Sequence, residues 1–515
     1  MRNGIRWAAL VMMAAVPCLQ AQDALATIKA AEYALGMIRG PQRIDAINTM
    51  EVWGIGMNYN FGQAYHADGP WPAFKIEYHA SYSYRTPAMR VDITRSNPDG
   101  ELQGGGLPLA APQRSIQVVN GLFAWNESVP GGGFIKGSTA TPTPGALKDR
   151  LLQMWTTPHG VLKAAERAAK DARVSTAATF TPANSGPSVV NAVTFPLDGP
   201  LAGIDVKMTL NAKNQVERVE TMSDNPVLGD IVTETTYSDY KDLGEIATDV
   251  MFPAHIVQKQ GGFPVLDLTV TKVDANNPYV VFPVPDNVEN GPKTEPPVKV
   301  ETTKVADGVY YFTGGSHHSV AVEFNNYVAL LECPLSEERT LAVIAAVRAA
   351  IPKKPIRYAV VTHHHFDHSS GLRACVAEGS TIVTQTLDKP YYEKVWAGPR
   401  TIRQDAMAKS GKKAVIEAVD EKRVIGDGKH SVELYHLAGS NHIDSMLIAY
   451  LPKEKVLVEA DVYTPAAAGA PTPPPTKEML NLWDNIQRLK LDVQQITPIH
   501  GRLVTMEDFK KAVGK

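Results

Sequence analysis

Residues 362–368 read Thr-His-His-His-Phe-Asp-His and stand directly after the apolar run Ile356–Val361. A short apolar, β-branched run of this kind is expected to be a buried strand. The loop that leaves it carries the pattern His-x-His-x-Asp-His. Alternate residues leaving a strand can aim at one point, which suits His363 and His365, while the adjacent pair Asp367 and His368 turns toward a second point nearby. Imidazole and carboxylate are favoured ligands of zinc, so two neighbouring metal ions fit the spacing. Satisfied core histidines are the competing explanation, but packing alone gives no reason for such a cluster after a strand. His364, lying between two candidate ligands, is expected to face away. Ten of the fourteen histidines lie beyond residue 300, which places the chemistry in the last two-fifths of the chain.

A pair of metals needs more ligands than one loop offers, so isolated His or Asp residues should recur at later strand ends. They do. The strand-like segment Val432–Leu437 runs into Gly439-Ser440-Asn441-His442, Lys455–Val458 into Glu459-Ala460-Asp461, and Gln494–Ile499 into His500-Gly501. With these motifs, residues 300–515 resemble the metallo-β-lactamase superfamily. The resemblance extends to the Leu-Pro-Lys-Glu-Lys-Val-Leu hairpin before Asp461 and the Pro498-Ile499-His500-Gly501 ending. It implies an αββα sandwich, with His363, His365 and His442 as ligands of one zinc, Asp367, His368 and His500 as ligands of the second, and Asp461 bridging them. It further implies a hydrolase in which a water between two zinc ions is the nucleophile and Asp367 is the catalytic residue that orients it.

Two departures from the family pattern stand out. Glu332-Cys333-Pro334 replaces an Asp-Thr-Gly-like turn, and Ser369-Ser370-Gly371 replaces a two-glycine turn after the Asp-His pair. Both concern the surroundings of the ligands rather than the ligands themselves. Asp461, where one class of true β-lactamases has a metal-binding Cys, points toward glyoxalase II, lactonase and phosphodiesterase-like members. Glyoxalase II itself is disfavoured, because no glutathione-binding residues are recognisable. His317 and His318, in Gly314-Gly315-Ser316-His317-His318, are read as loop residues at the site rim, with a substrate contact as the alternative. His430 and His436 are read as surface residues or as neighbours of the ligands. The proline-rich segment Thr464–Thr476 is expected to form an irregular flap or rim near the site.

The other half is written in a different grammar. Trp53, Ile55, Met57, Tyr59 and Phe61 alternate with other residues, as do Phe74, Ile76, Tyr78, Ala80, Tyr82 and Tyr84, followed by Met89, Val91 and Ile93. The period of two predicts long antiparallel strands. A helix is expected over 25–35 and a helical interlude near 146–170, with further strands around 189–195, 206–221, 232–240 and 256–273. One large curved sheet results, broadly similar in pattern to the half-open barrel of bacterial lipoprotein carriers such as LolA. The fold class is therefore α+β: a mainly antiparallel curved β-sheet domain over 22–284, a proline-rich linker over 285–299 and the catalytic domain over 300–515.

Residues 1–21 read as a signal peptide, with Arg2 and Arg6 before the apolar stretch Trp7–Val16, so a periplasmic or secreted protein is expected. No later apolar run approaches membrane-spanning length, which leaves no integral membrane segment after cleavage. Lys plus Arg number 51 against 54 Asp plus Glu, without basic blocks, so nucleic acid is excluded as a partner in favour of a small-molecule substrate. Cys333 and Cys375 remain as a disulfide or two buried thiols, and nothing sets the oligomeric state. The expected activity is hydrolysis of a small ester, lactone, thioester or amide, β-lactams included. The alternatives are a mononuclear iron oxygenase of the persulfide dioxygenase kind and a non-catalytic metal-dependent ligand-binding protein.

Overall fold

The computed structural model describes residues 23–39, 44–100, 102–179, 188–246 and 248–515. The expected signal peptide, residues 1–21, lies outside them. Among the described residues no helix is long and apolar enough to cross a membrane.

Among the described residues, the first half is built on a sheet of thirteen antiparallel strands. Its pivot is the strand Thr49–Tyr59, which pairs on one side with Ala73–Ser83 and on the other with Phe263–Ala275. From this pivot the chain meanders outward in both directions. One arm ends at Ala140–Pro142, and the other returns through Met251–Gln260 and Gly229–Asp242 to Arg173–Thr179. Phe74, Ile76, Tyr78, Ala80 and Tyr82 are buried, as their alternation predicts. In the neighbouring strand the parity is reversed: Met50 and Val52 face the core, while Ile55 is exposed and Trp53 stacks on His79 at 4.5 Å. A period of two separates two faces but does not say which one is inward.

Helices Ala24–Ala34, Leu147–Trp155 and Pro158–Arg167 pack on the core face. The helical interlude expected near 146–170 consists of two helices, because Pro158 has no N–H to continue the first and is suited to start another. The Thr157 side chain caps the second by accepting from Gly160 N. The expected strands 206–221 and 256–273 are each two strands of a hairpin, turning at 211–215 and at Gly261-Gly262. Both of those glycines have positive φ (58° and 87°), which breaks the apolar run where side-chain alternation alone did not. The proline-rich stretch holds one short helix, Asp286–Glu289, and its Val288 is buried with Val280 and Phe282 against Ile116, Val118 and Trp125.

The second half contains two mixed sheets. In the seven-stranded sheet, from Glu301–Ala306 to Val415–Val419, the last four strands run parallel, with Ile356–Val360 between Val328–Leu331 and Thr381–Gln385. The six-stranded sheet runs from Lys422–Gly426 to Val504–Thr505. Val320, Val322, Leu331, Val360, Val432, Leu434, Ala449 and Val458 form a core shared by the two sheets. Helix Glu337–Ala350 covers the first sheet with Val343, Ile344 and Val347, whereas Leu341 is exposed; helix Lys477–Arg488 covers the second with Met479, Leu482 and Ile486. Parallel strands bring their C-terminal ends to one rim, and the loops that leave that rim carry the candidate ligands. Cys333 and Cys375 are free, buried thiols with their sulfurs 2.9 Å apart.

The two halves touch directly. The hairpin turn after Val216–Asn225 inserts Val227 into the core of the second half. Arg400 donates to the carbonyls of Asn225 and Val227, and Asp230 accepts from Thr401. A second contact reaches the candidate ligands themselves.

Candidate metal centre

All seven residues expected to bind metal converge, and they do so in two groups. One holds His363, His365, His442 and Asp461; the other holds Asp367, His368 and His500, together with His317. Within each group one ligand atom per residue lies within 4.8 Å of all the others. Asp461 joins them. Its Oδ2 is 2.9 Å from His442 Nε2 and 3.6 Å from His363 Nε2, while its Oδ1 is 3.1 Å from His368 Nε2 and 2.5 Å from His500 Nε2. One carboxylate oxygen thus faces each group. The backbone supports this placement: Asp461 has φ 63°, a left-handed conformation that Asp tolerates better than most residues.

Several imidazole nitrogens of the two groups face one another or point inward unpaired. His363 Nε2 is buried and has no hydrogen-bond partner, while its Nδ1 meets Thr362 Oγ1 at 2.9 Å. His365 Nδ1 and His442 Nε2 face each other at 3.0 Å, and His368 Nε2 and His500 Nε2 at 3.4 Å. Ligands about 2.0–2.1 Å from a tetrahedral ion sit roughly 3.4 Å apart, so these separations suit a shared metal. Burial pushes the His363 imidazole down to about 3 and His365 well below the usual range, which keeps both neutral, the form that binds metal. Burial also opposes ionisation of Asp461, but the fields of His368 and His442 outweigh it and hold the carboxyl far below its ordinary value. His368, caught between the Asp461 and Glu332 carboxylates, is driven up despite its burial.

Each departure from the expected turns has a role. Glu332 ends the strand Val328–Leu331 with φ 71° and is fully buried. Its Oε1 accepts from Thr362 N at 2.6 Å and its Oε2 pairs with His368 Nδ1 at 2.7 Å, leaving His368 Nε2 toward Asp461. Ser369 and Ser370 donate their hydroxyls back to the carbonyls of His365 and Phe366, fastening the turn from outside. Behind Asp461, fully buried Glu459 is pushed up to about 8 by burial and accepts from Tyr463 N.

Other histidines sort clearly. His364 turns away, as expected, and meets Asp388 at 2.8 Å. His430 is buried against Glu454, and His436 contacts the Asp444 carbonyl; neither enters the groups. His317, expected at the rim, instead reaches the second group, with Nε2 3.1 Å from Asp367 Oδ2 and its ring 4.0 Å from that of His500. Its loop is tied down by His318 N donating to Ile499 O, and by Arg339, whose guanidinium donates to the carbonyls of Thr313 and His317. The proline-rich segment before Lys477 holds no helix or strand, and its Pro465 lies beside Gly501, next to His500.

The loop 60–72 of the first half carries no motif in the sequence, yet it touches two of the candidate ligands. Gln63 Nε2 donates to Asp367 Oδ1 at 2.6 Å, and His365 Nε2 lies 3.0 Å from the Ala64 carbonyl.

A family model described as the metallo-beta-lactamase superfamily matches residues 312–492. The C-terminal region is a metallo-β-lactamase superfamily domain. Solved structures similar to it include a metallo-β-lactamase from Hirschia baltica, at 18% identity over 41% of this chain and 95% of that one, with a TM-score of 0.32. Another, from Pontibacter korlensis, shares 19% identity over 42% of this chain and 98% of its own length, also at TM-score 0.32. FIM-1 from Pseudomonas aeruginosa, described in a mono-zinc form, shares 19% over 42% and 94%, with a TM-score of 0.31. Comparison with curated sequences finds no match for this chain. Metal binding is supported by the two His/Asp groups that this domain assembles.

Proposed function

We propose that the protein is an exported dinuclear zinc hydrolase acting on a small ester, lactone, thioester or amide. The observation that carries this reading is the division of Asp461 between the groups, one oxygen to each. His363, His365 and His442 would hold one ion; Asp367, His368 and His500 the second, with His317 as a further donor; Asp461 would bridge. The three successive cores, helix on sheet, sheet on sheet and sheet on helix, support an αββα sandwich around this rim. When bound, the ions would supply a water acidified toward neutrality and Lewis acidity for the substrate's carbonyl oxygen.

The protein's own part is positioning. Asp367 has the most exposed side chain of the seven, at 31%, whereas His363, His365 and His368 are fully buried, so substrate meets the site on the Asp367 side. Its carboxylate is held ionised: burial opposes this, but the hydrogen bond to His317 and the His368 field prevail. An ionised carboxylate at the mouth orients the attacking water and helps to move its proton. The signal-like composition of residues 1–21 supports a periplasmic or secreted location.

Metal analysis coupled to a panel of lactams, lactones, thioesters and phosphodiesters tests the reading. We expect two zinc ions per chain and turnover that Asp367→Ala abolishes. A single iron with oxygen consumption would favour the oxygenase alternative, and two zinc ions without Asp367-dependent turnover of any panel member would count against the hydrolase reading.

A further inference from the structure

We infer that the loop 60–72 of the N-terminal sheet is a working part of the metal centre, with Gln63 as the positioning residue for Asp367. The inference rests on the reading that the two groups hold metal.

The loop supplies one contact to each group from adjacent residues. Asp367 Oδ1 accepts from Gln63 Nε2 at 2.6 Å, while Oδ2 faces His317 at 3.1 Å and His368 at 3.8 Å. Gln63 therefore occupies the oxygen that points away from the second group and fixes the rotation of the carboxylate. A carboxamide is well matched to this position, because it donates a hydrogen bond without adding a cation that would compete with the metal for Asp367 or an anion that would repel it. Ala64 acts on the other group. Its carbonyl can only accept, so His365 carries its proton on Nε2 and leaves the Nδ1 lone pair toward His442, 3.0 Å away.

The loop is itself held on three sides. Phe366 N donates to Gly62 O at 3.1 Å, and a side chain at Gly62 would stand 2.4 Å from the Phe366 ring, so only glycine allows this approach. Gly105 N donates to Gln63 O, and Asn60 Nδ2 donates to Gly105 O at 2.8 Å, so the neighbouring loop walls in the carboxamide. On the far side Tyr65 O accepts from Asp444 N, His66 pairs with Asp444, and Gly104 N donates to Asn441 O. Those last contacts bracket His442. The first half thus reaches two of the four ligand-bearing loops of the second, the one carrying His363 to His368 and the one carrying His442.

Simple docking of two domains would need none of this alignment, and docking has its own contact at Asp230 and Thr401, in which Asp230 bonds no candidate ligand. The test uses the full chain, with Gln63→Leu compared against Asp230→Ala, and reads cobalt(II) binding by chelator competition and by the visible spectrum. Gln63→Leu is expected to weaken the second cobalt by about 10–100-fold and to shift the spectrum, with an unchanged metal-free melting temperature. Asp230→Ala is expected to bind cobalt like the parent. Two parent-like cobalt ions with an unaltered spectrum in Gln63→Leu would overturn the inference alone, as would an equal loss in Asp230→Ala. A parent chain that binds no metal would overturn the proposed function and this inference together.

Discussion

Glu332→Gln isolates a single hydrogen-bonding role in a buried place. Wild-type Glu332 accepts twice, from Thr362 N at 2.6 Å and from His368 Nδ1 at 2.7 Å, with both side chains fully buried. Glutamine keeps the shape but has one acceptor and one donor. If its carbonyl faces Thr362, its NH2 group meets His368 Nδ1, and the imidazole must place its proton on Nε2, the atom that faces Asp461. A protonated nitrogen cannot bind metal, so affinity for the second ion should fall by about 10–100-fold, which is about 1.4–2.8 kcal/mol. If the carbonyl turns to His368 instead, the Thr362 N–H is left buried without an acceptor, at a cost of about 1–3 kcal/mol of folding stability. The assay is zinc titration against a competing chelator, paired with thermal unfolding of the metal-free protein. A Glu332→Gln variant with parent-like zinc affinity and parent-like melting would refute the role given to this residue.

Two further outcomes follow from the geometry. His317→Ala should weaken the second zinc by about tenfold and leave the first untouched, so chelator competition showing equal weakening of both ions, or of neither, would remove His317 from the second group. His159, buried against Phe252, is pushed down to about 3 by burial, below its unfolded value near 6.5; its contribution to stability is therefore full above pH 6.5 and is lost as pH falls toward 3. Between pH 6.5 and 5 that loss is about 2 kcal/mol, and urea unfolding of His159→Leu should show a correspondingly flatter pH dependence than the parent.

The candidate ligands were legible because strand ends and ligand chemistry coincide. The His-x-His-x-Asp-His ligands sit in one loop behind Ile356–Val360, and His442, Asp461 and His500 each follow a short apolar run. His317 was harder: it shares its loop with His318, which is bonded to Tyr311 instead, and nothing in the order of residues says which of two adjacent imidazoles turns inward. Ala64 was invisible, since its contribution is a carbonyl oxygen that every residue possesses. Gln63 is about 300 residues from Asp367, a pairing that only the tertiary structure creates. In the first half, alternation revealed strands but not their inward face, as Trp53 shows, because stacking on His79 satisfies a large aromatic on the outer side.

The pairing at the pivot of the large sheet bears on the order in which the chain matures. Thr49–Tyr59 lies between Ala73–Ser83, reached by a short connection, and Phe263–Ala275, more than 200 residues away. Closing so long a span costs chain entropy before the strand contacts repay it, and topologies dominated by such contacts fold slowly. The first hairpin, which carries Gln63 at its tip, can form early in synthesis, but its sheet is complete only once residue 275 has emerged. Asp367 and His365 emerge later still. The contacts of Gln63 with Asp367 and of Ala64 with His365 therefore belong to the last stage of assembly during synthesis, when a hairpin made early meets a loop made late.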